Sequence, residues 1–246
     1  MVWLVILLGL LACPGISETH PRIDESDDEA VLGTLRLRIP EPMVFDLVRP
    51  LGARERELEI NSLGVLPLTR RRTLNWAPEV EYTLFDGFGV EFELPAENTR
   101  VTHYKMAVQG TLNTWTAKKF IHGWQGIGEI GRDGEPWSAV GLYLTGYRFN
   151  RRWSLLSMHG LKWEGLEHVE TSVLANHTVF YQSRRAGTLG FETNLELQRR
   201  RAGVLLMPQK HVELGAGIHL QAGLGVVRPM SGPTRPALGF RLIKEL

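Results

Sequence analysis

The chain has 246 residues, with 28 Lys and Arg against 27 Asp and Glu, a net charge of +1 and one cysteine. So balanced a charge, with no basic arm set apart, argues against a dedicated nucleic-acid binder, and a single cysteine excludes an internal disulfide. No Pro/Ser-rich linker divides the interior, which favours one domain.

Residues 1–12, MVWLVILLGLLA, are almost wholly apolar and are followed by Pro14-Gly15. Such a run is too short to anchor in a bilayer and reads as a secretory signal, with cleavage after Ser17 in the small-x-small sequence Gly15-Ile16-Ser17. Lipidation at Cys13 is the other processing route. Residues 18–50 follow as a periplasmic tether. Its first part, ETHPRIDESDDEA, is acidic and aperiodic and buries too little apolar surface to offset its ordering entropy. Its second part, from Val31 to Pro50, alternates briefly at Leu35, Leu37 and Ile39. It reads either as an added strand or as a plug segment folded into a barrel lumen or into the periplasmic mouth.

Residues 51–246 then alternate with a period of two. Trp76, Pro78, Val80, Tyr82 and Leu84 share one face, and Asn75, Ala77, Glu79, Glu81 and Thr83 the other. Phe85-Asp86-Gly87 breaks the run, and Phe88, Val90, Phe92 and Leu94 resume it against Gly89, Glu91 and Glu93. Asp-Gly tolerates the positive φ of a tight hairpin, so this is two strands and a turn. The same reading predicts strands at about 55–66, 74–84, 88–95, 101–113, 119–130, 136–148, 152–164, 171–182, 187–198, 202–214, 217–227 and 235–244. Alternate connections are compact, as at Phe149-Asn150-Arg151 and Gly215-Ala216-Gly217, and those between them are longer. The stretches near 119–130, 136–148 and 202–208 carry apolar residues on both faces, which points to a bulge, a lumen constriction or a different register.

Short turns at one end, longer loops at the other, an export signal, and Trp and Tyr near strand ends predict an all-β, antiparallel up-and-down transmembrane β-barrel of about 12 strands in a bacterial outer membrane. A soluble sandwich or lipocalin-like barrel would alternate in the same way. An even strand count puts both termini at the short-turn, periplasmic end.

The runs FDLVRPLGARERELEINSLGVLPL (45–68), WAPEVEYTLFDGFGVEFELP (76–95), LMPQKHVEL (206–214) and GFRLIKEL (239–246) together resemble a group of small bacterial outer-membrane barrels regarded as transporters, similar to proteins of the phenol-degradation meta-pathway type. The resemblance implies a channel or binding role for a small solute. The chain departs from many such barrels in ending on Leu246 and not on an aromatic.

With the apolar faces toward lipid, the lumen receives Glu57, Glu59, Glu79, Glu81, Glu91, Glu93, Glu192 and Glu196. Carboxylates facing one another across strands repel, so they require cations. Arg241 on the last strand, His103 and Lys105 after Glu91 and Glu93, and Arg49 or Arg54 are the candidates. A Glu–Arg/Lys network rigidifying the barrel and a negative lumen selecting cations are both consistent with this pattern. A metal held by Glu91, Glu93 and His103 is a third reading whose spacing is not diagnostic. No cofactor or catalytic motif is present. Ser157 and His159, two apart on one strand, and Asn176-His177-Thr178 on the next are the residues an outer-membrane enzyme acting on lipid would use. The expected function is passive diffusion of small solutes through a polar, Glu-rich lumen, with a closed structural or binding barrel as a further alternative. The expected partners are outer-membrane lipids, the small-molecule solute and the outer-membrane assembly machinery.

Overall fold

The computed structural model describes residues 37–45, 47–69, 73–115, 119–183 and 186–246. The proposed signal sequence and the tether up to residue 36 lie outside the described residues. The strands are β1 (Leu58–Pro67), β2 (Asn75–Phe85), β3 (Phe88–Glu93), β4 (Ala96–Glu97), β5 (Arg100–Val101), β6 (His103–Trp115), β7 (Phe120–Gly131), β8 (Trp137–Arg148), β9 (Trp153–Gly165), β10 (Val169–Ser183), β11 (Gly187–Leu197), β12 (Ala202–Gly215), β13 (Ile218–Arg228) and β14 (Arg235–Glu245). β4 and β5 form a two-residue hairpin in the loop between β3 and β6, bonded to β2 through Trp76 and Ala96. The other strands form a closed antiparallel 12-strand barrel, because β1 pairs with both β2 and β14.

The predicted strands match these elements closely, and the alternation predicts the correct faces. Val80, Leu84, Phe92, Met106, Val173 and Leu242 point outward and are exposed, while Glu59, Glu79, Glu81, Glu91 and Glu93 point inward and are buried. Closure leaves none of the twelve barrel strands with an unpaired edge, the condition for strands to cross a bilayer. Aromatic pairs sit near the short-turn end: Phe85 on Phe88 with ring centroids 4.8 Å apart, Tyr147 on Phe149 at 5.0 Å and Trp153 on Tyr181 at 4.8 Å. Trp76, Trp137 and Trp163 lie toward the other end, as an interfacial girdle requires.

The inner space is filled. The segment running from Leu37 to Ala53 lies within the barrel and enters the strands at Leu58. Leu37, Ile39, Leu47 and Leu51 pack with Ile121, Leu142, Leu144, Leu156, Met158, Leu174 and Phe180 of β7–β10 in one apolar cluster. Met43 packs with Leu205, Met207 and Ala237 in a second. These clusters account for the two-faced apolar strands: Leu142, Leu144, Leu205 and Met207 are inward residues facing the inserted segment. The inner wall over β7–β10 therefore carries an apolar patch at the waist, set among the buried polar side chains of Gln125, Asn176 and Thr178, while β1–β3 and β6 present the charged side, so the polar, Glu-rich lining covers only part of the circumference.

The β2–β3 turn, with Gly87 at φ 77°, anchors the segment's exit. Gly87 N donates to Ala53 O at 2.8 Å, and Glu55 N donates to Asp86 Oδ1 at 3.0 Å. The wall is thinned where the segment presses on it. A Cβ at Gly239 would lie 2.5 Å from Met43 Cε, and one at Gly146 would lie 2.8 Å from Ile39 Cγ1. Gly239→Val should therefore lower barrel stability by about 1–3 kcal/mol through overpacking, and Met43→Ala in the same chain should recover most of it. Thermal melts in detergent check this; equal stability of Gly239→Val and the parent would contradict the packing.

Candidate functional site: the lumen network

Arg241 of β14 is fully buried, and its guanidinium gathers acids from three directions. Nη1 donates to Glu41 Oε2 of the inserted segment at 3.2 Å, and Nη2 donates to Glu79 Oε1 at 3.3 Å and Glu81 Oε1 at 3.0 Å on β2. Glu59 Oε1 of β1 lies 3.6 Å from Nη2. β1 lies between β14 and β2, so barrel closure brings these groups together. A planar guanidinium with several donors suits this role better than a lysine.

Arg49 of the inserted segment forms a second node. It ion-pairs with Glu59, donates to Glu57 Oε2 at 3.1 Å and lies 3.6 Å from Glu81 Oε2. Burial would lower its pKa, but the charges of Glu41, Glu59 and Glu81 and the hydrogen bond to Glu57 outweigh this and raise it, so it stays charged. For Glu57 burial acts upward, but the Arg49 hydrogen bond and the Arg38 charge hold it below its ordinary value. Stability from this carboxylate is thus present above its unfolded pKa and is lost as pH falls through the lowered one. Lys105 ion-pairs with Glu93 and lies 3.0 Å from Glu91 Oε1. Asn61 Nδ2 donates to Glu59 Oε1 at 3.0 Å and Glu81 Oε1 at 2.6 Å.

Glu192 lies further round the wall and serves as a seat. Its carboxylate accepts the backbone N–H groups of Met43 and Val44 at 3.0 Å each and of Phe45 at 2.7 Å. Asn194 Nδ2 and Gln209 Nε2 donate to the same carboxylate at 2.7 Å and 3.3 Å. A buried carboxylate is tolerable only with such a shell of donors. Gln109 Nε2 donates to Arg49 O, and Gly52 N donates to Thr111 Oγ1 at 2.9 Å. The segment's backbone is thereby matched to the wall as well as its side chains.

Of the residues the sequence nominates, Glu57, Glu59, Glu79, Glu81, Glu91, Glu93, Lys105 and Arg241 come together. Glu196 stands apart, 3.8 Å from Lys162 Nζ, and His103 Nδ1 lies 3.0 Å from Thr102 Oγ1 in the outer vestibule. Arg54 is exposed, so Arg49 is the cation that reaches in. Glu41 and the shell around Glu192 were not foreseen. The nearest sequence signals are inward glycines facing the segment and apolar residues at inward positions.

Two hollows flank the filled waist. One of about 430 Å³ is lined by Glu41, Glu59, His211, His219, Gln221 and Glu245 near the short-turn end. Another of about 330 Å³ is lined by Leu63, Val65, Ala77, His103 and Glu135 near the long-loop end.

Ser157 and His177 meet on the outward face, Oγ to Nδ1 at 3.0 Å, with His159 edge-on to His177 at a centroid distance of 4.9 Å. They belong to a polar row, His122, Thr145, Ser157, His177 and Thr193, that runs directly across β7–β11. Among the described residues no acid hydrogen-bonds to or ion-pairs with His159 or His177 to orient it as a catalytic base.

No family model and no curated protein matches the chain. Several solved structures share its fold. The COG4313 outer membrane channel from Pseudomonas putida F1 is 11% identical with a TM-score of 0.61, over 85% of this chain and 100% of that one. The NanC porin gives 8% identity and 0.60 over 77% of this chain and 100% of that one. The KdgM porin gives 10% and 0.57 over 74% and 97%. The fold is that of the bacterial outer-membrane porin-like channels.

Replacing Arg241 with Met should destabilise the barrel by about 3–5 kcal/mol, because it strands buried carboxylates. Glu81→Gln added to it should recover part of that loss. Urea unfolding followed by tryptophan fluorescence reads both; an unchanged midpoint for Arg241→Met would contradict the network.

Proposed function

We propose that the chain is a passive channel for small solutes whose waist is closed by residues 37–53, with the Glu–Arg network serving both as the latch for that segment and, once it is withdrawn, as the selectivity lining. The observation that carries this reading is the segment's mode of attachment. It is held by side-chain ion pairs at Glu41 and Arg49 and by a carboxylate seat at Glu192, and it leaves a hollow at each end. The ion pairs and hydrogen bonds can be exchanged for water in a hydrated lumen, while the apolar contacts of Leu37, Ile39, Leu47, Leu51 and Met43 favour the closed state. The likeness to porin-like channels is one of fold and is compatible with transport.

Withdrawal would remove Arg49 and expose Glu59, Glu79, Glu81, Glu91 and Glu93, a strongly negative wall favouring cationic solutes. The apolar patch of Ile121, Leu142, Leu144, Leu156, Met158 and Phe180 on β7–β10 would give a solute with a hydrophobic body a surface to rest on. An amphiphilic solute fits both surfaces. This agrees with the small-solute role implied by the resemblance to the phenol-degradation meta-pathway type, which we keep as part of this proposal. The filled lumen equally supports a closed binding or structural barrel, and the same experiment separates the two. Outer-membrane lipids around the apolar belt and the assembly machinery that inserts such barrels are the further partners this reading entails.

Planar-bilayer recording of the folded chain tests it. The parent should show rare, small openings, and a chain lacking residues 37–50 should show steady cation-selective conductance. Glu79→Gln with Glu81→Gln in the shortened chain should move the reversal potential in a salt gradient toward zero. Silence from the folded, shortened barrel would overturn the channel reading in favour of the closed barrel.

A further inference from the structure

Among the described residues, acids outnumber cations on the charged side of the lumen. Glu59, Glu79, Glu81, Glu91 and Glu93 share Arg49, Lys105 and Arg241, with Glu41 drawing on Arg241 as well. Charge left unmatched in a buried site is costly and is neutralised by protons or by a bound cation.

The carboxylates converge most tightly at one place, where Arg241, Arg49 and Lys105 all approach from the outside. One carboxylate oxygen from each of Glu79, Glu81 and Glu91 lies within 4.8 Å of the others, and all three residues are buried. Neither oxygen of Glu91 accepts a hydrogen bond; Lys105 Nζ approaches Oε1 at 3.0 Å. The neighbouring side chains repeat the pattern. Asn61 is directly opposite Glu79, and its amide is pinned to the cluster by the 2.6 Å bond from Nδ2 to Glu81 Oε1, yet its Oδ1 has no donor. Thr83 Oγ1, on the inward face of β2 after Glu81, and Gln109 Oε1, on the inward face of β6 after the partner of Glu91, also have no hydrogen-bond partner. Asn61, Thr83 and Gln109 are each at most 3% exposed. Buried polar atoms are ordinarily satisfied, so several unsatisfied oxygens around three converging carboxylates mark a place for something that accepts electron pairs.

We propose that Glu79, Glu81 and Glu91 bind a hard divalent cation of calcium size, with Asn61 Oδ1 as a further oxygen donor. An all-oxygen set of carboxylates and amide is what Ca²⁺ selects, and ligands at about 2.3–2.6 Å on opposite sides of the ion are about 4.6–5.2 Å apart. Mg²⁺, with ligands at about 2.0–2.1 Å, needs a tighter and more regular set. The set differs from the Glu91, Glu93 and His103 grouping considered from sequence, because the carboxylates that converge are those of Glu79, Glu81 and Glu91, and His103 bonds to Thr102 in the outer vestibule. The site belongs to the barrel wall and stands whether or not residues 37–53 ever leave the lumen.

Equilibrium dialysis of the full folded chain against ⁴⁵Ca²⁺, in detergent free of lipopolysaccharide, tests the proposal. The expected result is about one ion per chain with a dissociation constant on the order of 10⁻⁴–10⁻³ M and weak competition by Mg²⁺. Glu91→Gln, which keeps all surface acid, should lose that ion. Binding that persists in folded Glu91→Gln, or no uptake by the parent at about 5 mM calcium, overturns it. If Glu91→Gln does not fold, the parent decides through its thermal melt: a rise with calcium reversed by chelator supports the site, and indifference to both overturns it.

Discussion

Arg241 is the group on which barrel, first hairpin and inserted segment all depend. It lies on the last strand, beside the first, and its guanidinium bonds across the seam to β2 and inward to Glu41. Backbone pairing alone would close the barrel. What this side chain adds is a reason for the closed wall to tolerate Glu59, Glu79 and Glu81 on neighbouring strands, since like charges so placed oppose pairing. Arg49 and Lys105 repeat the device at other points of the same wall, and of these only Arg49 comes from outside the strands. The wall's charge balance therefore includes the segment.

The inserted residues satisfy two unlike surfaces at once. Leu37, Ile39, Leu47 and Leu51 face β7–β10, where burial of apolar area supplies the driving force, and Glu41 and Arg49 face the charged strands. Between them, Met43 to Phe45 turn their amides toward Glu192. The sequence LRIPEPMV (37–44) carries the two proline residues that suit such a path, since Pro40 and Pro42 have no N–H to satisfy inside a wall. A barrel of this size leaves a hollow that must hold water, side chains or chain, and here it is chain.

The fold was legible because alternation, turn chemistry and export signal agree. The Trp76–Leu84 and Phe88–Leu94 alternations alone fix a hairpin and the facing of its charges. The placing of Lys105 on the strand after Glu91 and Glu93, and of Arg241 beside the first strand, follows from strand order and closure; the particular ion pairs do not. The occupant of the lumen was not legible to the same degree. Its contacts join residues as far apart as Glu41 and Arg241, or Met43 and Glu192, and no local period encodes them. The two-faced strands held the clue: Leu142, Leu144, Leu205 and Met207 are apolar on a face that water would otherwise wet, which requires a dry partner. In the sequence Glu192 is indistinguishable from the other lumen acids, because its role depends on amides from a segment with no regular structure.

The central claim is that residues 37–53 occupy the lumen in the folded protein. Amide hydrogen exchange of the chain in lipid nanodiscs tests it most directly at Met43, Val44 and Phe45, whose amides bond to Glu192. The account predicts protection comparable to that of the barrel strands, and faster exchange at these amides in Glu192→Ala. Exchange at the rate of unstructured chain, with the strands still protected, would place the segment outside the barrel and contradict the account.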